Sequence, residues 1–224
     1  MSYDITMLRQ RLELIAYRLI QAKELLTHID NLTGDGDLGI SMEKAGYSLL
    51  GELSKPHDDG IEGLLRRCAI AINRDAPSTM GTLSSLSILE ASKLMKDKTV
   101  FKDLDILRIP ERMVSIIMIR GRAQPGDKTV LDALIPYSEA IVEGYEQTGE
   151  IAEAALRAAE VAEDAANGTK GKLAKIGRAK WIGERSRDCP DGGAVVCAIA
   201  VNALLERAVW FDVPGFPEGG LTIG

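Results

Sequence analysis

Aromatic residues are scarce in this chain: Phe, Trp and Tyr make up 4% of 224 residues, against 46% apolar residues overall. Sandwiches and barrels of strands draw on aromatic and β-branched side chains. Here Ala, Leu, Ile, Glu and Lys dominate, which suits helix packing and predicts an all-α fold. Histidine is nearly absent, with only His28 and His57, so a histidine-rich zinc centre cannot be built and triad-type hydrolysis has little support. Cysteine is limited to Cys68, Cys189 and Cys197, an odd and scattered set that fits reduced structural thiols better than a disulfide frame. The longest apolar stretches, Met113 to Ile119 and Ala194 to Leu205, fall short of the roughly 18 to 20 residues of a membrane span. Long basic runs are also missing: 27 Lys and Arg against 33 Asp and Glu leave a net charge of −6, which disfavours nucleic acid as a partner. The first residues lack a basic segment followed by an apolar one, so no secretory signal is read and a cytoplasmic protein is expected.

What is present is helical periodicity. Leu8, Leu12, Ile15, Leu19, Ile20 and Leu26 predict one long first helix ending near Asp30. Further helices are expected over 40–53, 61–73, 79–96, 110–120, 129–147, 150–166 and 191–209, eight in all. Pro77-Ser78 and Pro190-Asp191 mark helix starts, and Gly121, Gly149 and Gly168 mark ends. The helix over 150–166 is alanine-rich and acidic, which reads as a solvated face beside a small-residue packing stripe. No linker divides the chain into comparable halves, so residues 1–210 are read as one domain. Residues 211–224, with Pro214, Pro217 and several glycines, are expected to form an irregular extension, packed over that domain or loosely ordered.

Four loops stand out. In the first, His28 to Gly39, three aspartates (Asp30, Asp35 and Asp37) are crowded among Gly34, Gly36 and Gly39. Like charges this close raise one another's pKa or are neutralised by a hard cation, and the glycines let the backbone aim the carboxylates at one point. Magnesium is the economical ligand; a capping loop whose aspartates bind free helix amides is the alternative. A dinucleotide fingerprint is excluded because the preceding segment is a helix, and an EF-hand because Ile40 and Gly46 stand where its glycine and bidentate glutamate belong. The second loop, Ala76 to Thr82, places hydroxyls and a glycine at a helix start, where an anion or an ordinary N-cap is equally served. The third, Gly121 to Thr129, resembles a Walker A string, but Asp127 separates glycine from lysine and no strand precedes it. There Asp127 is expected to cap the helix from Thr129, and Lys128 to approach a nucleotide or face water. The fourth, Gly171 to Ala194, is too long to be a plain connection. Its Arg178 offers a planar fork for phosphate, and Gly192 and Gly193 permit close approach to the next helix.

Taken in order, Asp30-x4-Asp-Gly-Asp-x-Gly, Pro125-Gly-Asp-Lys-Thr-Val-Leu-Asp-Ala-Leu134, Gly177-Arg-Ala with Gly183-Glu-Arg-Ser186, and Asp191-Gly-Gly-Ala194 resemble the nucleotide-binding L subunit of dihydroxyacetone kinase, the DhaL or Dak2 domain family. The resemblance implies a barrel of eight antiparallel helices with nucleotide-binding loops at one end. It implies that Asp30, Asp35 and Asp37 hold two Mg²⁺ ions. It also implies that ADP or ATP lies against Leu38, Gly39, Ile40 and Ser41, then Ser78, Thr79, Met80 and Gly81, then Gly121, Val130, Arg178, Asp191, Gly192 and Gly193. The chain departs from the pattern at Leu38, where relatives often carry histidine, and at Pro77-Ser-Thr-Met-Gly81, where they carry a Gly/Ala/Ser-Gly element.

Phosphoryl transfer needs positioning and charge neutralisation more than covalent help, and three carboxylates on magnesium with Arg178 fit that task. The resemblance implies that the hydroxyketone is held by a separate K subunit. It implies as phosphoryl source either ATP or a phosphotransferase-system protein recharging bound ADP; a homodimer is also open. The rival reading is a regulatory subunit that binds ADP and Mg²⁺ and acts on a transcription factor without transferring phosphate. A plain helical scaffold would leave three acidic groups converging without a counter-ion.

Overall fold

Helices make up nearly all the regular structure of the computed structural model, which describes residues 3–56 and 58–216; an isolated bridge pairs Tyr3 with Phe101. The long first helix is observed as two, α1 (Ile5–Gln21) and α2 (Lys23–Thr33), interrupted at Ala22. Main-chain bonds run through the break, from the Ala22 amide to Arg18 and from the Leu26 amide to Ala22, each 2.9 Å. There follow α3 (Leu38–Leu53), α4 (Gly60–Asp75), α5 (Thr79–Leu94), α6 (Asp103–Gly121), α7 (Leu131–Thr148), α8 (Ile151–Asn167), the short α9 (Ala179–Ile182) and α10 (Gly192–Ala203). The expected eight are therefore ten among the described residues. One is added by the break at Ala22 and one by α9, which lies with a 3₁₀ turn (Gly183–Asp188) inside the fourth loop.

Boundaries moved where local tethers outweigh punctuation. Helix α6 starts at Asp103 rather than Pro110, because the Asp105 carboxylate accepts from the Lys102 amide at 3.0 Å and pairs with Lys98, securing a turn upstream of the proline. Pro110 then costs only the bond to the carbonyl one turn back. Helix α10 ends at Ala203, short of the expected 209, and the chain continues as an extended strap whose Val209, Phe211 and Val213 are buried. The strap is tied to α8 by the Asn167 side chain, which donates to the Trp210 carbonyl at 3.0 Å, and to α2 by His28 against the Pro214 carbonyl at 2.8 Å. The C-terminal extension is thus packed on the domain as far as 216; residues 217–224 lie outside the described residues.

Each long helix packs on the next along the chain, and α10 closes the ring on α8 and α1. The core is lined mainly by Leu, Ile and Ala, including Leu25, Leu26, Ile29, Met42, Leu64, Leu131, Ile141 and Ile199. The alanines of α8 form the stripe its composition predicts: Ala154, Ala158, Ala162 and Ala166 are buried at four-residue spacing, and Gly144 of α7 lies so close that a Cβ there would sit 3.2 Å from that of Ala154. Small residues are what let α7 and α8 approach this closely.

Up-and-down connection by short links puts alternate loops at the same end. One end gathers the links at 34–37, 76–78, 122–130 and 168–191. Contacts confirm the gathering: Gly121 faces Leu83, Gly193 faces the Val130 amide, and Gly192 faces Leu38 and Ile29. The opposite end is joined by Arg9 to the Leu53 carbonyl at 2.6 Å and by the Tyr3 and Phe101 amide–carbonyl pair.

Two residues at the loop end generate predictions. A Cβ on Gly39 would lie 2.1 Å from both the Lys23 carbonyl and the Thr27 hydroxyl, so α2 crosses α3 where no side chain fits. Gly39→Ala is expected to destabilise the protein by about 2 kcal/mol, an overpacking cost, read as a lowered urea midpoint. Asp191 caps α10 by accepting from the Ala194 amide at 2.8 Å. Desolvation pushes its carboxyl up to about 7, against the pull of the capping amides and the Lys128 charge. The folded protein therefore holds a proton that the unfolded chain releases near pH 4, and this group lowers stability progressively as pH rises from about 4 to 7. Asp191→Asn keeps a capping oxygen and removes that slope. Its melting temperature, relative to the unaltered protein, is expected to rise steadily between pH 5 and 7.5.

Candidate metal centre and its rim

Helix α2 ends at Thr33, and the loop turns at Gly36, whose φ of 81° is a left-handed conformation open to glycine. Asp30 thus lies on the last turn of a helix, Asp35 in the loop and Asp37 at the start of α3. Carboxylate oxygens of the three lie within 4.8 Å of one another, with Asp30 half-buried and Asp35 and Asp37 exposed. Such pairs repel by about 1 kcal/mol each at water's dielectric, and by more toward the half-buried partner.

The chain itself supplies part of the counter-charge. Arg178, from the fourth loop, pairs with Asp35 and reaches Asp37 at 3.4 Å. The carboxylates therefore do not converge uncompensated, as a plain scaffold was expected to require; one guanidinium answers three carboxylates and leaves two negative charges. The capping alternative is met in part. Asp30 accepts from the Leu38 amide at 3.1 Å, so it caps α3, whereas Asp37 stands at the N-cap position without a side-chain bond. One Asp30 oxygen is thereby oriented by the backbone, and Asp35 and Asp37 make no capping bond.

The other expected contact residues fall into groups. The Leu38 side chain turns inward against Gly192 and Ile29, Gly39 is buried under α2, Ile40 is exposed and Ser41 is half-buried. Asp191, Gly192 and Gly193 form the head of α10, where a Cβ on Gly193 would lie 3.2 Å from the Val130 amide. These positions, the aspartates and Arg178 make one connected rim. Ser78, Thr79, Met80 and Gly81 form the head of α5, with Ser78 accepting from the Gly81 amide at 3.1 Å. Among the described residues no hydrogen bond joins this segment to the acidic loop, and it reaches the rim through Leu83 beside Gly121.

Two expectations for the third loop are corrected. Asp127 does not cap α7; it accepts from the Gln124 amide at 2.8 Å and closes its own turn. Asp132, in the first turn of α7, accepts from the Thr129 amide at 2.8 Å and the Gly126 amide at 3.1 Å. Lys128 neither faces water nor reaches the rim surface: it is 2% exposed and donates to backbone carbonyls of the fourth loop. Sequence reasoning had no means of finding it, because its partners are carbonyls that only the folded loop brings together.

Comparison with known proteins agrees with this architecture. A match to the DAK2 domain covers residues 32–206. The chain is 33% identical over 181 residues to L-erythrulose kinase of Pectobacterium atrosepticum, covering 80% of this chain and 31% of that protein. It is 28% identical to the ADP-binding subunit DhaL of the PEP-dependent dihydroxyacetone kinase of Escherichia coli, covering 83% of this chain and 88% of that subunit. Against D-erythrulose kinase of Mycolicibacterium smegmatis it covers 33% of the relative, so the chain spans about a third of the length of the first relatives it matches. The crystal structure of the dihydroxyacetone kinase of C. freundii superposes with a TM-score of 0.68 at 19% identity, over 88% of this chain and 34% of that one, a likeness of fold. None of the described helices is long and apolar enough to cross a membrane. Because the family match runs unbroken from Leu32 through every loop of the rim to Glu206, the chain belongs to the DAK2 domain family.

Proposed function

We propose that this chain is the nucleotide- and magnesium-binding, phosphoryl-transferring unit of a dihydroxyacetone (glycerone) kinase, acting on dihydroxyacetone or a related short ketose held on a separate K subunit. The observation that carries this reading is the convergence of Asp30, Asp35 and Asp37 within 4.8 Å on a rim that also receives Arg178. Opposed ligands on one magnesium stand about 4.2 Å apart, so this spread accommodates hard-cation binding with little movement. Carboxylates are the hard oxygen donors that magnesium prefers. Three negative charges, two once Arg178 is counted, would be neutralised by magnesium, and the pair of ions proposed here would leave positive charge for the phosphates.

Magnesium bound there would neutralise the phosphate oxygens and favour transfer of the terminal phosphoryl group. The protein's own residues orient the nucleotide. Cations held by the carboxylates would leave the Arg178 guanidinium, which now pairs with Asp35 and Asp37, free to offer its fork to phosphate. The heads of α3, α5 and α10 add partial positive charge, and the Thr79 and Met80 amides, in the first turn of α5, have no carbonyl within their own helix to bond. No general base is assigned. The relatives support the substrate class: one is named an ADP-binding subunit of a PEP-dependent dihydroxyacetone kinase and others are erythrulose kinases, and a solved structure similar in fold is a complex with AMP-PNP and Mg²⁺.

Isothermal titration of ADP, with and without Mg²⁺, tests the reading directly. Mg²⁺ is expected to tighten ADP binding at least tenfold, and Asp35→Ala to abolish that gain with far-UV circular dichroism unchanged; an affinity indifferent to Mg²⁺ would sink it. For transfer itself, the protein is mixed with a K subunit, dihydroxyacetone and either ATP or a phosphotransferase donor. Phosphorylated triose is the expected product, whereas a regulatory subunit would bind Mg–ADP and yield none.

A further inference from the structure

Lys128 is the most enclosed cation among the described residues. Its φ of 63° turns the chain so that the side chain enters the protein, and its ammonium donates to the carbonyls of Lys172 at 3.2 Å, Cys189 at 2.8 Å and Ser186. An ammonium has three N–H donors, and all three are used. Among the described residues no carboxylate bonds to it directly, and Asp191 acts on it only at longer range. Desolvation lowers the Lys128 pKa, and the Asp191 charge opposes that shift.

All three acceptors belong to the loop over 168–191, and they come from both of its legs: Lys172 on the outgoing leg, Ser186 and Cys189 on the return. Arg178 lies between the legs. The legs are laced together near their base, where the Gly171 amide donates to Arg187 at 2.8 Å and the Asp191 amide to the Thr169 hydroxyl at 2.7 Å. The outgoing leg is also bound to the third loop, by the Lys175 amide to the Asp127 carbonyl at 3.1 Å. A buried charge is tolerated only when its donors are matched, and here that requires both legs to be in place at once.

We infer that Lys128 is a positioning residue, an ammonium strut around which the 168–191 loop is wrapped so that Arg178 is held at Asp35 and Asp37. The inference rests on the reading of the rim as a magnesium and nucleotide site, and predicts that Lys128 acts on nucleotide binding through Arg178 rather than by touching the ligand.

Lys128→Met keeps the side chain's length and removes its donors. In hydrogen exchange on the free protein, the Gly171 and Lys175 amides of this variant are expected to exchange at least tenfold faster, with the amides of α7 and α8 unchanged. Titration is expected to show Mg–ADP affinity about tenfold weaker in Lys128→Met, yet no weaker in the double variant Lys128→Met/Arg178→Ala than in Arg178→Ala alone. Unaltered loop exchange, faster exchange throughout the barrel, or an equal loss of affinity with and without Arg178 would each overturn the inference. A protein whose loop loosens as expected but that never binds Mg–ADP would leave the strut standing and remove the nucleotide reading instead. Should Lys128→Met not fold, Lys128→Gln, which retains two donors, carries the same two measurements.

Discussion

Mutual repulsion among three carboxylates is the constraint on which the loop end of this protein turns. Asp30 is placed by the last turn of α2, Asp37 by the start of α3 and Asp35 by the turn at Gly36, so the backbone keeps the three together. Exposure to water makes the arrangement tolerable, because screening reduces each pair to about 1 kcal/mol. Arg178 makes it partly compensated. Relief by an exposed arginine is modest and reversible, which is what the proposed exchange of this counter-ion for a metal requires.

Two cations of the loop end are handled in opposite ways. Arg178 is exposed, meets carboxylates, and is exchangeable. Lys128 is buried, meets only carbonyl dipoles, and cannot leave without stranding three acceptors. The buried one sets the shape of a loop and the exposed one stands on it. Asp191 shows the same economy: its carboxyl, pushed up to about 7 by desolvation, serves as a cap for α10 in the neighbourhood of the Lys128 charge.

The helical part of the structure could be read from residue pattern because each helix states its own buried face. The alanine spacing of α8 and the capping residues Ser78 and Asp191 came out as their chemistry dictates. Proline misled at 110, where the tether of Asp105 to Lys98 and Lys102 outweighs it. At the rim, the crowding of Asp30, Asp35 and Asp37 was visible because glycine spacing and like charge are local. Gly39 is expected at the phosphates, and the structure adds a second demand on it, as the place where α2 crosses α3, set by a helix that precedes it in the chain. The carboxylate at the start of α7 is Asp132 rather than Asp127, since which of two nearby carboxylates reaches an amide depends on the turn between them. Lys128 carries no local signal at all, because its partners stand at sequence separations of 44, 58 and 61.

Chain order explains why the candidate site gathers at one end. In a ring of helices joined up and down, every second connection returns to the same end, and here those are the links at 34–37, 76–78, 122–130 and 168–191. At the other end the links after α5 and α7 turn the chain, and Phe101 bridges the first of them to Tyr3. Core residues such as Leu64 and Ile141 lie within single helices, whereas Val130 and Gly39 belong both to the packing and to the rim. Leu38, where the chain departs from the pattern it resembles, sets its side chain beside Gly192 at the head of α10 while its amide donates to Asp30, so a different side chain there meets α10 and keeps the backbone bond to the acidic loop.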